Sequence, residues 1–457
     1  MAKLSRRHLL QSAGAIGAAG ALARPFVARG AGQTVVVWWN QGFYQAEDQA
    51  VKDAAAAWEK QTGNKIELTF LVVADVTAKI VSAMTTGDVP DLIYSDTGQN
   101  LILPQAAWND KVVDMTDVVD TQRDDILQAA LDSSSFYNNV TKKRSFYGVP
   151  VKGASLMEEV WRPLVEEAGY KDTDIPKTQD KYFDFFQDAQ KALRGKGKRV
   201  FGLGYSMATK EADSGNLFHS FLVAYGGDGI VGLDGKLHAD DPKVKLAATT
   251  AIERLTTPYK AGYVPPGAIN WGDVDNNNAF YARQVVMTPN ATISIAVAQM
   301  EKQDQYFKEI ITQGVPLGND GQPVPSLLAV PLCFIPKGAK NVDGAKDFLK
   351  FFIQPGRINE VLKQARGRWV PVIKSALKDP YWLDPNDPHR PVAVRQGLIN
   401  PTVSWYQIRN PAYAEVNAKQ VWAQAEANVT QKSWTPEKAA EDALTQIKEI
   451  FSKYTIT

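Results

Sequence analysis

Thr34 to Trp39 is an unbroken apolar run rich in β-branched and aromatic residues, as expected of a buried strand. Asn40-Gln41-Gly42 ends it. From residue 44 to 62 the period becomes helical. Val51, Ala54, Ala55 and Trp58 share one face, and Gly63 stands where a C-cap belongs. Lys65 to Leu71 reads as a second strand. A second helix is expected with Asp75 as its N-cap, Thr77, Ile80, Val81 and Met84 on one face, and Gly87 at its end. Asp91 to Ser95 is a third strand. Strands alternating with helices over short connections predict an α/β fold with a parallel sheet covered by helices. Ligands bind such sheets beyond the carboxyl ends of the strands. Here those ends are Trp39-Asn40-Gln41-Gly42 and Ser95-Asp96-Thr97-Gly98.

A second α/β region is expected to start near Tyr147-Gly148-Val149-Pro150. The pattern there predicts helices around Lys181 to Leu193 and Asn216 to Ala224, and a strand at Arg199 to Tyr205. Ser326 to Ile335 reads as one strand, followed by a helix over Val342 to Phe352. The last helix begins at Thr435-Pro436, a capping residue followed by proline at the first helical position, and buries Ala440, Leu444, Ile447 and Phe451.

The N-terminus changes the picture of where the chain works. Residues 1–32 hold five basic groups and no acid: Lys3, Arg6, Arg7, Arg24 and Arg29. An apolar stretch from Leu9 to Ala23 ends in Ala21-Leu22-Ala23, so the segment reads as a secretory signal cleaved between Ala23 and Gln33. Arg6-Arg7, between Ser5 and Leu9, resembles a twin-arginine signal; an ordinary Sec signal with adjacent arginines is the alternative. The only cysteine is Cys333, expected in a buried strand, so there is no intrachain disulfide and no lipid-anchor cysteine after the signal. An exported, periplasmic protein is expected. Without residues 1–32 the net charge falls from +1 to about −4, which is not the balance of a nucleic-acid binder. No later segment is long and apolar enough to cross a membrane. The 11 tryptophans suit a cleft that stacks on sugar C–H faces, although any single one is more often core.

Ordered blocks along the mature chain resemble the extracellular solute-binding proteins of ABC importers, in the branch that includes maltose-binding protein. They are Val35-Val36-Val37-Trp38-Trp39, Gly87-Asp88-Val89-Pro90-Asp91-Leu92, Tyr147-Gly148-Val149-Pro150, Ala279 to Met287, and the strand at 330–335 followed by Pro336-Lys337-Gly338-Ala339. The sequence departs from the family pattern at Leu156 to Trp161, at Arg283 and at Asn290-Ala291-Thr292, close to where relatives hold ligand. The resemblance implies a two-lobed periplasmic binding protein fold of type II character, with a hinge crossed more than once. One lobe is expected to hold residues 33–148 and 312–355, the other 152–308 and 358–457. It also implies a small carbohydrate ligand, the permease's transmembrane subunits as partner, a monomer and no cofactor. Ligand contacts are expected from Trp39, Asn40, Gln41 and Asp96 on the first lobe. From the second, Lys152, Asn216, Trp271, Asp273, Asn290 and Trp369 are expected. Asp and Asn suit hydroxyls, which both donate and accept.

Other chemistry is weaker. The four histidines, His8, His219, His238 and His389, lack metal-ligand spacing. Asp273-Val274-Asp275-Asn276-Asn277 opens like a calcium loop but has Asn278 and Gln284 where Gly and Glu are needed. A cationic ligand such as a polyamine is the alternative within the binding class. A secreted glycoside hydrolase is the alternative outside it and needs two carboxylates in a cleft. Glu158-Glu159, or Asp96 with Asp273, can be proposed for that role, but adjacent glutamates are more often a solvated face.

Overall fold

The computed structural model describes residues 32–456, so the signal-peptide expectations at Arg6-Arg7 and Ala21 to Ala23 lie outside the described residues. Two hydrophobic cores form, each around its own sheet. In the first sheet Thr34–Asn40 lies between Lys65–Leu71 and Leu92–Ser95, all parallel. Leu332–Phe334 then adds antiparallel to Leu92–Ser95, and Val149–Pro150 closes the edge. Cys333 is fully buried in that returning strand. The second sheet runs Ile310–Gly314, Met157–Trp161, Val285–Asn290, Phe201–Leu203. This is a mixed α/β, two-lobed binding-protein fold.

The first lobe follows the expected alternation, with two local differences. The helix Gln45–Thr62 ends on Gly63 at φ 78, a left-handed cap that suits glycine. The next helix, Val73–Thr86, starts two residues before Asp75: Val72 is its N-cap, and the amides of Asp75 and Val76 both bond the Val72 carbonyl. Asp75 therefore sits in the first turn, where its charge still complements the helix dipole. The helix buries Val76, Ile80 and Ala83, and Val81 is half exposed. The apolar stripe is rotated from the expected one because the sheet meets the helix along that i, i+4, i+7 row. Asp91 explains the Gly87–Leu92 block. One of its carboxylate oxygens accepts from Val36 N at 2.9 Å, the other from Lys340 N and Asn341 N at 2.7 Å each. A single buried side chain thus pins the first strand to the loop that starts the helix Val342–Phe352.

The expected strand Ser326 to Ile335 divides in two. Ser326–Leu327 pairs with Thr402–Val403, and only Leu332–Phe334 enters the first sheet. Between them Ala329 and Ala154 exchange both backbone hydrogen bonds, at 2.9 and 3.0 Å, while Gly153 does the same with Val370. These paired segments, 151–156, 326–331 and 369–372, run between the lobes and form the hinge.

The lobe boundaries differ from those expected at two places. Residues 310–314 belong to the second sheet, because Ile310–Gly314 pairs along the whole of Met157–Trp161. The chain therefore recrosses after Gly314. Residues 355–405 stay with the first lobe: Ile358, Leu362, Trp369, Trp382, Val394 and Trp405 all join the first core. The final crossing comes near Trp405, since Tyr406, Tyr413, Trp422 and the face of Pro436–Phe451 join the second core. The Gln354-Pro355-Gly356 break is a helix start, with Pro355 at the first position of Pro355–Gln364, and not a hinge. Among the described residues no helix is long and apolar enough to cross a membrane.

Candidate functional site

A cavity of about 380 Å³ lies between the lobes. Its first-lobe wall is built from the carboxyl ends of parallel strands, as expected for an open α/β sheet. Gln41 and Gly42 follow the first strand; Asp96 and Thr97 follow the third. The second lobe contributes Asp213 and Asn216 from the helix Ala212–Ala224, Asp273 from a loop, and Asn290 from the end of its strand. Trp369 and Trp405 close the hinge side.

Six of the ten residues expected from sequence line this cavity: Gln41, Asp96, Asn216, Asp273, Asn290 and Trp369. Trp39, Asn40 and Lys152 lie just beneath it, around a void of about 30 Å³. Trp39 stacks on Tyr94 with ring centroids 4.3 Å apart and is buried in the first core. Asn40 Oδ1 accepts from Asp96 N at 3.4 Å and so helps set the strand end. Trp271 is not in the cavity wall; it packs partly buried against the second core. Its neighbour Asp273 reaches the rim, where it is exposed.

The buried charges beneath the floor form a connected set. Lys152 Nζ lies 3.2 Å from Asp96 Oδ1 and 4.1 Å from the Trp369 ring centroid. Tyr94 donates its hydroxyl hydrogen to the same Asp96 oxygen. Burial by itself would raise the Asp96 carboxyl; Lys152 and then Arg368 outweigh it and hold the group below its usual range. Asp96 is therefore an ionised acceptor whose orientation is fixed. Arg368 is tied back to Glu47 at 3.1 Å and stands 5.1 Å from the Trp369 ring. Cations thus sit against Trp369 from two residues, an arrangement that holds the indole in place.

The second-lobe wall is acidic in a different way. Burial, and then the charges of Glu211 and Asp273, push the Asp213 carboxyl well above its usual value. Asn290 spends its amide hydrogens on Asn277 and Ser294, at 3.3 and 3.0 Å, leaving its oxygen as an acceptor.

Several buried polar atoms of the cavity-lining residues have no hydrogen-bond partner among the described residues. They are Gln99 Oε1, Ser155 Oγ, Arg368 Nε, and the indole nitrogens of Trp369 and Trp405. An unpaired buried polar group costs about 1–3 kcal/mol, so a site that gathers several is built to be completed by a ligand. Sequence reasoning missed Gln99, Ser155, Asp213, Arg368 and Trp405. Arg368 stands one residue from Trp369, and Ser155 three after Lys152, so the flanking positions held the signal. Trp405 could not be placed without knowing where the last crossing falls.

Glu158 and Glu159 are not a solvated face. Both are buried in the strand Met157–Trp161, Glu158 at 1 % and Glu159 at 0 % exposure. They stand behind the hinge and are absent from the cavity wall. Among the described residues no group of three or more His, Cys, Asp or Glu is placed to hold a metal.

Residues 53–391, about three quarters of the chain, match the family model for bacterial extracellular solute-binding proteins. No curated protein sequence matches the chain. Solved structures match over almost their full length. An ABC transporter solute-binding protein from Thermotoga lettingae, bound with α-D-tagatose, is 19 % identical at a TM-score of 0.69, covering 92 % of this chain and 99 % of that one. A sugar transporter from Arthrobacter chlorophenolicus with bound laminaribiose is 15 % identical at 0.71, covering 91 % and 99 %. A cyclic α-maltosyl-1,6-maltose binding protein from Arthrobacter globiformis is 18 % identical at 0.71, covering 92 % and 100 %.

Proposed function

The chain belongs to the bacterial extracellular solute-binding proteins, and from that membership we propose that it captures a small carbohydrate between its lobes and delivers it to the permease of an ABC importer. The observation that carries the sugar reading is the mixture of unpaired groups around the cavity. Two indole donors, a guanidinium N–H of Arg368, a hydroxyl and an amide oxygen are unpaired there, beside the ionised Asp96. A polyhydroxylated ring both donates and accepts, and can satisfy all of them, whereas a purely cationic ligand leaves both indole N–H groups unpaired. Trp369 is held by Lys152 and Arg368 and offers a face for stacking. The solved structures with bound tagatose and laminaribiose, and that of the cyclic α-maltosyl-1,6-maltose binding protein, agree with this reading.

The ligand contacts are assigned to Gln41, Asp96, Asn216, Asp273, Asn290 and Trp369, with Trp39, Asn40 and Lys152 supporting them from below. Closure of the lobes is a population shift favoured by contacts to both walls at once. Export through the N-terminal signal and release as a free monomer complete the reading; mass spectrometry of the exported protein's N-terminus tests the first part. The central test is a thermal-shift and calorimetric screen against mono- and disaccharides and sugar alcohols. A ligand at about a hundred times its Kd adds about 2.7 kcal/mol of stability. A polyamine that stabilises while every sugar is silent overturns the carbohydrate assignment. Release of product from a glycoside overturns the transport assignment.

A further inference from the structure

Charge is distributed unevenly over the two walls of the main cavity. On the first lobe each charged group has its own counter-ion. Asp96 Oδ1 lies 3.2 Å from Lys152 Nζ, and Arg368 Nη2 holds both oxygens of Glu47, at 3.1 and 3.3 Å. That wall is therefore close to neutral. The second lobe differs. Asp213 and Asp273 line the same cavity, and Glu211, two residues before Asp213, adds its charge to theirs. No base acts on Asp213 among the described residues. The one base that acts on Asp273 is Arg368, which stands on the opposite lobe and is already held by Glu47.

Local structure sets up this surplus. The helix Ala212–Ala224 begins on Glu211, whose carboxylate accepts from Asp213 N and Ser214 N at 2.5 and 3.0 Å. The helix end thus already has its capping anion, and the Asp213 carboxyl in the first turn is not needed there. Burial, Glu211 and Asp273 all disfavour the ionised form of Asp213, and the amide of Asn216 offsets only part of this. A positive charge placed at the two cavity acids removes the conflict. The binding site itself stands on the cavity and on the unpaired Gln99, Ser155, Trp369 and Trp405 that line it, each at most 8 % exposed. The acids bear only on which ligand fits. A simple amine meets the acids and leaves those four groups unpaired. A neutral sugar meets the four groups and leaves the acids uncompensated. A polyhydroxylated ring that carries one ammonium meets both walls.

We propose that the ligand is an amino sugar, whose ring lies against Trp369 on the first lobe while its protonated amine bonds Asp213 and Asp273 on the second. This rests on the carbohydrate reading above and narrows it to hexosamines with a free amine, alone or in a short chain. The ammonium belongs to one wall and the hydroxyls to the other, so the ligand has one orientation and touches both lobes at once, the condition for favouring closure. N-acetylation removes the charge and with it the preference.

The test is calorimetric titration at constant ionic strength and pH 6.5, where the amine is protonated, with matched sets: D-glucose, D-glucosamine and N-acetyl-D-glucosamine, the same three forms of D-galactose and of D-mannose, and the glucosamine dimer. In the wild type the free amine of at least one set binds about tenfold tighter than its neutral parent and its N-acetyl form, the step from a neutral to a charge-assisted hydrogen bond. Asp213→Asn and Asp273→Asn should each cut that preference severalfold, and the double variant should abolish it. The ratio is read within each variant, so a general loss of binding does not mimic the result. Asp96→Asn should weaken amine and neutral sugar alike and leave the ratio unchanged. Should Asp213→Asn fail to fold, Asp273→Asn, at the exposed rim, carries the comparison. Neutral sugars that bind as tightly as their amines overturn the amino-sugar assignment and leave the carbohydrate reading standing. Silence from every member of every set overturns both. An amine preference that survives in the double variant, or that is lost in Asp96→Asn alone, places the ammonium elsewhere and also overturns the assignment.

Discussion

Thr312 and His389 meet across the lobe boundary, with Thr312 Oγ1 2.6 Å from His389 Nδ1. Thr312 belongs to the second sheet, and His389 to the segment that packs with the first core. Proton counting fixes the chemistry of this contact. His389 Nε2 faces the Tyr306 carbonyl at 2.7 Å, and a carbonyl only accepts, so Nε2 carries a hydrogen. Burial holds the His389 pKa down at about 4, so the ring is neutral and Nδ1 accepts from the Thr312 hydroxyl. Thr312 Oγ1 also lies 2.8 Å from Glu159 Oε2. Its one hydrogen is already spent, so Glu159 must donate. Burial raises the Glu159 carboxyl to about 8, which agrees.

This chain predicts a stability optimum bounded on both sides. Glu159 has a raised folded pKa, so its contribution is full below the unfolded value near 4.5 and is lost as pH climbs toward 8. Buried Glu158 beside it, raised by burial and by Glu159, acts in the same sense. His389 and His219, both depressed to about 4 mainly by burial, act in the opposite sense: their contribution is present above the unfolded value near 6.5 and is lost as pH falls toward 4. Tyr182 faces the glutamates and stays protonated throughout; the Asp387–Arg390 ion pair, at 2.9 Å, flanks His389. Glu159→Gln can donate to Thr312 as the acid does, but it does not titrate. The Tm of wild type minus that of Glu159→Gln should therefore fall steadily between pH 5 and 8. A difference that stays flat over that window would show that Glu159 is not the donor.

Much of the fold was legible because the first hundred mature residues obey local rules. The strand at Thr34, the helix ending on Gly63 and the strand at Leu92 each carry their own period and punctuation. The misplaced lobe boundary at 355 shows where local rules end. Pro355 stops one helix and starts the next, and a sequence break of that kind looks the same whether or not the chain changes lobe. The segment after it is assigned by Ile358, Leu362 and Trp369 packing into the first core, a long-range fact. The site was half legible for the same reason. Strand ends pointed to Gln41 and Asp96, but Trp271 and Trp369 looked alike beside their loops until the packing separated them.

That separation gives a fluorescence prediction. Trp369 and Trp405 line the cavity and Trp271 does not. A sugar identified by the screen should change tryptophan emission in wild type, and most of that change should vanish in Trp369→Phe. Trp271→Ala should leave Kd within about twofold. Burying about 60 Å² of sugar C–H surface on the indole contributes about 1.5 kcal/mol, so Trp369→Ala should weaken binding about tenfold. An unaltered Kd in Trp369→Ala, or a large loss in Trp271→Ala, would return the stacking role to Trp271.

Asp91 offers a test of the fold itself. Its carboxylate receives three backbone N–H groups from two distant segments and is 3 % exposed. Asp91→Ala leaves those donors without their charged acceptor, at a cost of about 3 kcal/mol or more. Thr435→Ala, which removes the single capping bond to Lys438 N at 3.3 Å, should cost only about 1 kcal/mol. Denaturant unfolding of the two variants should show that order; the reverse order would remove Asp91 from its pinning role.

The last prediction concerns Lys152, which touches no ligand yet should control affinity. It is 7 % exposed and contacts two cavity residues at once, Asp96 as counter-ion and Trp369 as a cation against the ring. Lys152→Met keeps the length of the side chain and its apolar stem but removes the charge. Two consequences follow from that one loss. Asp96 loses its largest stabilising neighbour while remaining buried, so its carboxyl rises toward or past its ordinary value. Trp369 loses a cation–π contact of about 0.5–2 kcal/mol. Sugar affinity at pH 7 should drop about tenfold or more. The pH profile separates this from plain misfolding: the wild type should bind almost evenly from pH 5 to 8, whereas Lys152→Met should lose affinity progressively as pH falls, because the ionised Asp96 accepts a charge-assisted bond from a hydroxyl that is about twice as strong as the bond to its neutral acid. Asp96→Asn, which cannot titrate, should be weak at every pH. A Lys152→Met variant as tight as wild type at pH 5 would show that Asp96 is not the acceptor that reads the ligand.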